Sequence, residues 1–518
     1  MTAEALPFPA VDLQRCRSAE DCCTPVLDTG SPTKFKFQSH LPLRVRQPAN
    51  SVDAAYAAKI QKGYELMRAL PDSDGRSLKN QAKLHCAYCD NNFYFAGNEH
   101  PLEIHQSWLF LPWHRMFVYF HERILAHLLE DDTFALPFWY WDDTSAESDS
   151  GNRLPKLYAE QSVYGANGNT SSLYDGDRNA CAQRPNIVDL VDPFVGCVAN
   201  KSDAVLRREN AHLMYTHMVT GAVTPSLFFG QPYRFGDKGG VGGGTLEVKP
   251  HGPVHLWVNI VKMLTNKLSA SDPIFFAHHA NVDRLWTVWK TLPGGIRKDI
   301  ADPDYLHTEF TYYNEHGKLV VASIGQSLDI TNLRYEYAKV ATPWITGAAD
   351  ANESTITSSS WPFCNTASPS SLTTMFQTTE PFRSGLSLFA EPVSFKVRRK
   401  AKSGAWSRRD TEEVLQVKGT MNWTLPMSFN AFVNFPEAVV ANGSLQGCRE
   451  YVGSFVASPH EGSSPEIPGR LHWRVALRHK LRDLGAEVFG ELVVTLVPAL
   501  SPNQTIALTS AKILHIRS

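Results

Sequence analysis

The sequence predicts two folded units in series: a mainly α domain, built as a helical bundle with long loops, and a C-terminal all-β sandwich. Its 518 residues exceed the roughly 250–300 that one hydrophobic core organises. Apolar residues recur at helical spacing in the first half. Beyond a Ser/Thr-rich stretch the chain turns to short β-branched runs bounded by turn residues, the pattern of a sandwich.

Helices are expected at 52–70, ended by Pro71 and the Asp74-Gly75 turn, and from Pro112 through Trp113, Phe117, Phe120, Ile124 and Leu128 to Asp131. Residues 143–205 lack periodicity and are rich in Gly, Asn, Ser and Asp, so long connections are expected there, tied by Cys181 and Cys197. The glycine run 239–244 precedes no Lys-Ser/Thr, which makes it a loop rather than a phosphate cradle. A further helix is expected from Pro250 through Leu264, and another after Asp272-Pro273. The domains are expected at 1–344 (300–344 closing the first unit), a Ser/Thr-rich linker at 345–375, and a sandwich at 376–518 with strands around Val393–Val397, Phe429–Phe432, Leu492–Leu496 and Thr505–Leu508.

Composition narrows the function. With 43% hydrophobic and 20% charged residues the chain is globular, neither disordered nor fibrous. Lys+Arg 50 against Asp+Glu 52, with no basic run, gives no footprint for nucleic acid or an anionic membrane, so a small-molecule partner is expected. No apolar stretch of about 18 residues is present to form a spanning helix. The start, Met1 to Pro7, has neither a signal-peptide nor a transit pattern, so a targeting segment is expected to have been removed. Nine cysteines are too few for a disulfide scaffold, but Cys16, Cys22 and Cys23 crowd together and Cys86 and Cys89 follow, which points to local bridges in an oxidising compartment. Sequons at Asn169, Asn200, Asn352, Asn422, Asn442 and Asn503 lean toward the secretory route.

The chemistry lies in the histidines. His251 and His255 are four apart, which on a helix sets both imidazoles about 40° apart on one face, able to hold one metal. A third ligand is offered by His278 or His279; neighbours on a helix diverge by about 100°, so one of the two is expected to bind. A second set is His85, His105 and His114, with His105 on the loop before Pro112. Two all-imidazole triads suit copper, with zinc as the competitor for a single triad. No Gly-x-Ser-x-Gly elbow or dinucleotide fingerprint offers a rival mechanism.

The blocks His105-x4-Phe110-Leu-Pro-Trp-His114-Arg115-x2-Val118-x3-Glu122 and Asp272-Pro273-x-Phe275-Phe276-x2-His279-x3-Asp283 resemble the two copper signatures of tyrosinases and catechol oxidases. His85-Cys86-Ala-Tyr-Cys89, Pro250-His251-Gly-Pro-Val-His255, Asp304-Tyr305-Leu306 and the ending Val493-Val-Thr-Leu-Val-Pro498 resemble the plant polyphenol oxidase branch, and the likeness covers nearly the whole chain. It implies two copper ions, one on His85, His105 and His114 and one on His251, His255 and His279. It implies a thioether between Cys89 and His105, disulfides Cys16–Cys23 and Cys22–Cys86, and a water-orienting carboxylate at Glu247. His278 becomes a histidine of the pocket wall or one standing behind the ligands, with Glu247 and His278 the catalytic candidates that could serve as base, and Asp283 an acceptor for a ligand imidazole. Arg46 and the Tyr335-x-Tyr337 pair resemble landmarks that close the first domain.

The resemblance departs at the substrate pocket, expected at Gly252, Leu256, Lys267 and Leu268. Lys267 or Leu268 stands where the branch has a gating Phe, and Gly252 brings no side chain after His251. The implied activity is oxidation of ortho-diphenols to ortho-quinones with O2 reduced to water, latent until a protease frees the C-terminal domain. A tyrosinase that also hydroxylates monophenols and a haemocyanin-like oxygen carrier are the alternatives. The implied address is the plastid thylakoid lumen or the secretory pathway.

Overall fold

Side-chain caps start the first helices. Asp53 accepts the Tyr56 N–H at 2.7 Å and Ser77 accepts the Asn80 N–H at 3.3 Å, satisfying donors that a helix leaves open. The computed structural model describes residues 6–11, 25, 31–93, 95, 100–146, 151–162, 170–193, 201–237, 242–346, 375–388, 391–399, 411–422, 424–436, 447–459, 469–499 and 505–517. Its helices are α1 (Ala54–Ala69), α2 (Leu78–Cys89), α3 (Phe110–Leu128), α4 (Lys156–Ala159), α5 (Asp203–Met214), α6 (Pro225–Phe228), α7 (Gly252–Val258), α8 (Ile274–Thr291) and α9 (Pro303–His307).

Helices α3 and α8 form the centre of the first unit. Every residue of α3 from Phe110 to Ala126 is buried, as are Ile274 to Trp286 of α8, so this pair is wrapped on all sides by other elements and its polar side chains must find partners within the fold. Two small sheets close over them, one of three strands and one of two: β1 (Thr33–Lys34) and β2 (Arg44–Arg46) precede α1, while β3 (Glu309–Tyr313), β4 (Leu319–Ser323) and β5 (Tyr335–Tyr337) follow α9, and the sheet orders are β1-β4-β3 and β2-β5. Strands β2 and β5 pair in parallel, Arg46 opposite Tyr337, and so join the two ends of the unit.

This closure carries a buried ion network. Glu122 of α3 accepts from Arg44 Nε at 2.9 Å and Arg46 Nε at 2.7 Å, and also takes the Leu136 N–H at 2.8 Å. Burial opposes charge on Glu122, but Arg46 and Arg44 outweigh it and hold the carboxyl below its ordinary pKa. Asp283 of α8 meets Arg115 of α3 and accepts from the Tyr335 and Tyr337 hydroxyls at 2.6 Å each. Asp283 was expected to hold a ligand imidazole; it is instead fully engaged by Arg115, Arg46 and these tyrosines.

The second unit holds β6 (Leu386–Leu388), β7 (Val393–Arg398), β8 (Thr411–Met421), β9 (Met427–Val433), β10 (Tyr451–Ala457), β11 (Gly469–Ala476), β12 (Glu491–Pro498) and β13 (Ile506–Arg517). They form two four-stranded sheets, ordered β10-β9-β12-β7 and β11-β8-β13-β6. Period-two alternation sends Leu415, Val417, Leu471, Trp473 and Val475 into the shared core.

Several helix bounds shift from the sequence reading. α3 starts at Phe110 because the Ser107 hydroxyl accepts the Leu109 N–H at 3.2 Å and opens the turn early. Pro112 then falls inside the first turn, where no N–H is required. The helix expected through Leu264 stops at Val258, since the Asn259 side-chain oxygen takes the Val261 and Lys262 N–H groups at 2.8 Å each. Lys249 is extended (φ −157°), so Pro250 lies before the α7 helix rather than starting it. Most of the expected linker, 347–374, lies outside the described residues.

Glu122→Gln should leave two buried guanidiniums without a carboxylate and destabilise the fold by about 3–5 kcal/mol. Glu65→Gln, which removes a surface pair with Lys62, should cost less than about 1 kcal/mol. Denaturant midpoints of the two variants against the parent check the difference.

Candidate metal centre

The end of α2 carries His85 and Cys89, the loop after it His105, and the first turns of α3 His114. These four residues offer ligand atoms that all lie within 4.8 Å of one another, and so do His251, His255, His278 and His279. The two groups adjoin: the His114 and His279 rings stack at 4.3 Å and 8°. Phe275 lies 4.8 Å from His85 and 4.2 Å from His279, a shared apolar wall.

Backbone carbonyls orient five of the imidazoles. Nδ1 of His85 faces Asn266 O at 2.9 Å, His105 faces Cys89 O at 3.4 Å, and His114 faces Phe110 O at 2.9 Å. His251 faces Glu247 O at 3.1 Å and His255 faces Met263 O at 2.8 Å. A carbonyl only accepts, so each Nδ1 bears the proton and each Nε2 keeps a lone pair. Nε2 of His85, His114 and His251 is buried with no protein partner. Burial, the largest cause, holds the His85 pKa down at about 3 and His255 at about 4, with His114, His251, His278 and His279 also well below the ordinary value. Neutral imidazoles fixed by outer hydrogen bonds, their lone pairs converging, are a metal-ready donor set, and two such histidine-rich groups suit a dinuclear copper centre.

Residues 75–292 match the common central domain of tyrosinase, 299–349 the polyphenol oxidase middle domain, and 385–514 the chloroplastic polyphenol oxidase C-terminal domain. The chloroplastic polyphenol oxidase of Malus domestica is 37% identical over 516 residues, spanning 96% of this chain and 83% of the relative. The chain belongs to the polyphenol oxidase family. Aureusidin synthase of Antirrhinum majus is 35% identical, spanning 95% of this chain and 86% of the relative. The structure of latent apple tyrosinase superposes with a TM-score of 0.78 at 36% identity, covering 94% of this chain and 100% of that one. This is a family of copper oxidoreductases, and its members include enzymes named catechol oxidase.

In this member of the family both His278 and His279 reach the second histidine group, where one of the two was expected to bind the metal and His278 to stand in the pocket wall. The His278 ring lies 5.2 Å from His251 and 4.8 Å from His255, and neither of its nitrogens has a protein partner. The His279 ring lies 5.0 Å from His251 and faces the first group through its stack on His114. α7 thus lies between the two side-chain directions.

Glu247 is buried beside the site. Its Oε1 accepts the Gln106 N–H at 2.5 Å, its Oε2 has no protein partner, and burial raises its pKa well above the carboxylate range. A Cβ at Gly243 would stand 2.5 Å from that Oε2, so glycine there makes room for the carboxyl.

The pocket residues separate into two sets. Gly252 and Leu256 face strand β10 of the sandwich: Val456 Cγ1 lies 3.2 Å from where a Gly252 Cβ would be, and Leu256, Leu264 and Val456 form one buried cluster. Lys267 and Leu268 are instead exposed and line an outer groove with Met67, Leu78 and Lys83, so neither stands over the second histidine group. The residues of this loop that turn inward are Asn266 and Ser269, whose carbonyl and hydroxyl lie 2.9 and 3.3 Å from His85 Nδ1. Sequence reasoning missed both, because neither is a metal ligand and no motif marks them.

Cys89 is a free, fully buried cysteine. Cys86, Cys181 and Cys448 are disulfide-bonded. Cys16, Cys22, Cys23 and Cys197, with which bridges were expected, lie outside the described residues, as does Cys364.

Proposed function

We propose that this protein oxidises ortho-diphenols to ortho-quinones, two diphenols for each O2 reduced to two waters, and that its C-terminal domain keeps it latent. The observation that carries this reading is the set of five imidazoles anchored through Nδ1, with Nε2 lone pairs facing inward from two adjoining groups. His85, His105 and His114 would hold one copper; His251, His255 and His279 would hold the other. Bound there, the copper pair supplies the two-electron exchange between substrate and dioxygen. The protein does the rest through fixed donors, a dry apolar wall at Phe275, and control of access. Glu247, buried beside the site with its Oε2 free of a protein partner, would orient water or, in its ionised form, accept a phenol proton. His278, between His251 and His255, lines the substrate side.

Latency rests on strand β10. Val456 packs on Leu256 and over Gly252, its carbonyl takes the Gln106 side-chain N–H at 3.4 Å, and the Pro459 carbonyl takes the Asn266 side-chain N–H at 3.4 Å. The sandwich therefore touches the residue after one proposed ligand, His105, and the residue whose carbonyl anchors another, His85. An activating cut falls within 345–375, between domains at 1–344 and 376–518. The chloroplastic names of the relatives support a plastid address. No helix among the described residues is long and apolar enough to cross a membrane. Gly252 offers no polar atom to hold a deprotonating water, which favours diphenol oxidation over monophenol hydroxylation.

Purified protein is expected to carry two coppers by elemental analysis. His114→Ala or His255→Ala should lower copper content and abolish catechol oxidation while circular dichroism stays unchanged. Two zinc ions, or activity surviving both substitutions, would end the copper reading.

Cys89 Sγ and a ring nitrogen of His105 lie within 4.8 Å of each other, so the proposed thioether joins neighbouring side chains; its S–C bond replaces an S–H and a ring C–H, and dioxygen would take up the two electrons and two protons released. Digestion should then release a reductant-resistant pair of peptides lighter by two hydrogen atoms than their sum. An alkylatable Cys89 in copper-loaded protein excludes the bond.

A verified cut within 345–375, followed by domain separation, should raise catechol oxidation on the order of tenfold or more, because a tethered lid acts at an effective concentration of about millimolar. Val456→Gly should give part of that rise without a cut. Unchanged rates in both cases would refute β10 as the cover; no catechol oxidation at all with two coppers bound would leave oxygen carriage as the function.

A further inference from the structure

The second domain gathers on one sheet cations that lie far apart in the chain. Strands β11, β8 and β13 are neighbours in one sheet, with His472 opposite Lys418, Arg474 opposite Gln416, and Lys512 opposite Gln416 on the other side. Residues of like parity share a face. Since Leu415, Val417, Leu471 and Trp473 fill the core, Lys418, Arg470, His472, Arg474 and Lys512 stand on the outer face. Lys418 occupies the centre, with Arg470, Arg474 and Lys512 each one diagonal step away, about 7–8 Å.

Among the described residues none of Lys418, Arg470, Arg474 and Lys512 forms an ion pair. Arg474 spends its hydrogen bonds on neutral groups: the Gln231 side chain of the first domain and, with the Gln416 amide correctly oriented, the Gln416 oxygen at 2.8 Å. Burial and the neighbouring Arg474, Lys512 and Arg470 all press the Lys418 pKa downward, and no carboxylate opposes them. On this face of β8 the nearest acid is Glu412, six residues along and so about 20 Å away, and it is committed to the Arg478 N–H at 2.8 Å. Keeping like charges together without neutralisation is costly in a fold that disperses its other cations.

We propose that this face is a binding surface for a soluble linear polyanion bearing carboxylates or sulfates. Two features favour a chain over a bilayer. Lys418, His472 and Arg474 are only partly exposed, and Arg474 bonds Gln231 of the first domain, so a flexible chain reaches them more readily than a flat surface does. No large apolar side chain is exposed on the described residues of β8, β11 or β13, so nothing there can insert into lipid. The surface is separate from the histidine groups and does not depend on the proposed oxidation.

The test uses the intact chain with polygalacturonate as the carboxylate probe, heparin as the sulfate probe, neutral dextran as control, and phosphatidylglycerol vesicles. Binding to at least one polyanion is expected, weakening as salt rises. Lys418→Gln/Arg470→Gln/Lys512→Gln should lower affinity by roughly tenfold or more and flatten the slope of log K against log salt by about two. Lys36→Gln/Lys298→Gln/Lys339→Gln makes the same change in net charge on the first domain and should bind like the parent. If the first triple variant melts early, Lys418→Gln alone, at the centre of the face, is expected to show a smaller loss in the same direction. Equal loss in both triple variants, no binding of either polyanion, or binding confined to vesicles overturns the proposal.

Discussion

The contact between Asp283 and Arg115 sets the geometry on which the site depends. Asp283 lies four residues after His279 on α8, one turn further along the same face, and Arg115 directly follows His114 on α3. Joining these two side chains fixes the register of the two central helices, and the register stacks the His114 and His279 rings at 4.3 Å. A slide of one turn, about 5.4 Å, would separate the two histidine groups. The Trp286 ring, 3.3 Å beneath the Arg115 guanidinium, and the two tyrosine hydroxyls of β5 leave this contact little freedom.

Such a network is expensive to bury and tolerates no missing member. Arg46 serves both carboxylates, reaching Glu122 at 2.7 Å and Asp283 at 3.4 Å while lying 3.8 Å over the Tyr335 ring. It comes from β2, before the first helix, and its tyrosine partners come from β5, after the last. The charges thus hold the ligand helices only when both ends of the first unit are in position, which couples completion of the fold to assembly of the site.

The same economy of contacts governs access. Asn266, whose carbonyl steadies His85, and Gln106, which follows His105 and binds Glu247, are also the residues the sandwich touches, through the carbonyls of Pro459 and Val456. A covering domain can therefore act on ligand loops as well as block the entrance. The neutral, dry surroundings that hold the histidine pKa values down also exclude water from the centre. At the other side of the interface, among the described residues, Arg474 is the one cation of β8, β11 and β13 with a hydrogen bond to the first domain.

By itself the sequence determined the kinds of secondary structure, the change from helices to sandwich, and the histidines of both groups, because these are written in local periods and spacings. The His251–His255 interval and the two Pro-bounded helices needed no tertiary information to be read. What only the tertiary structure decided depends on residues far apart in the chain. Asp283 serves arginines and tyrosines rather than an imidazole; Lys267 and Leu268 face outward while Asn266 and Ser269 turn in; and His278 reaches the group beside His279 because α7 lies between their directions. The cover at Val456 and the cation face around Lys418 were likewise invisible, since a strand shows which side chains share a face but not which strands will be neighbours, and long-range pairing creates both.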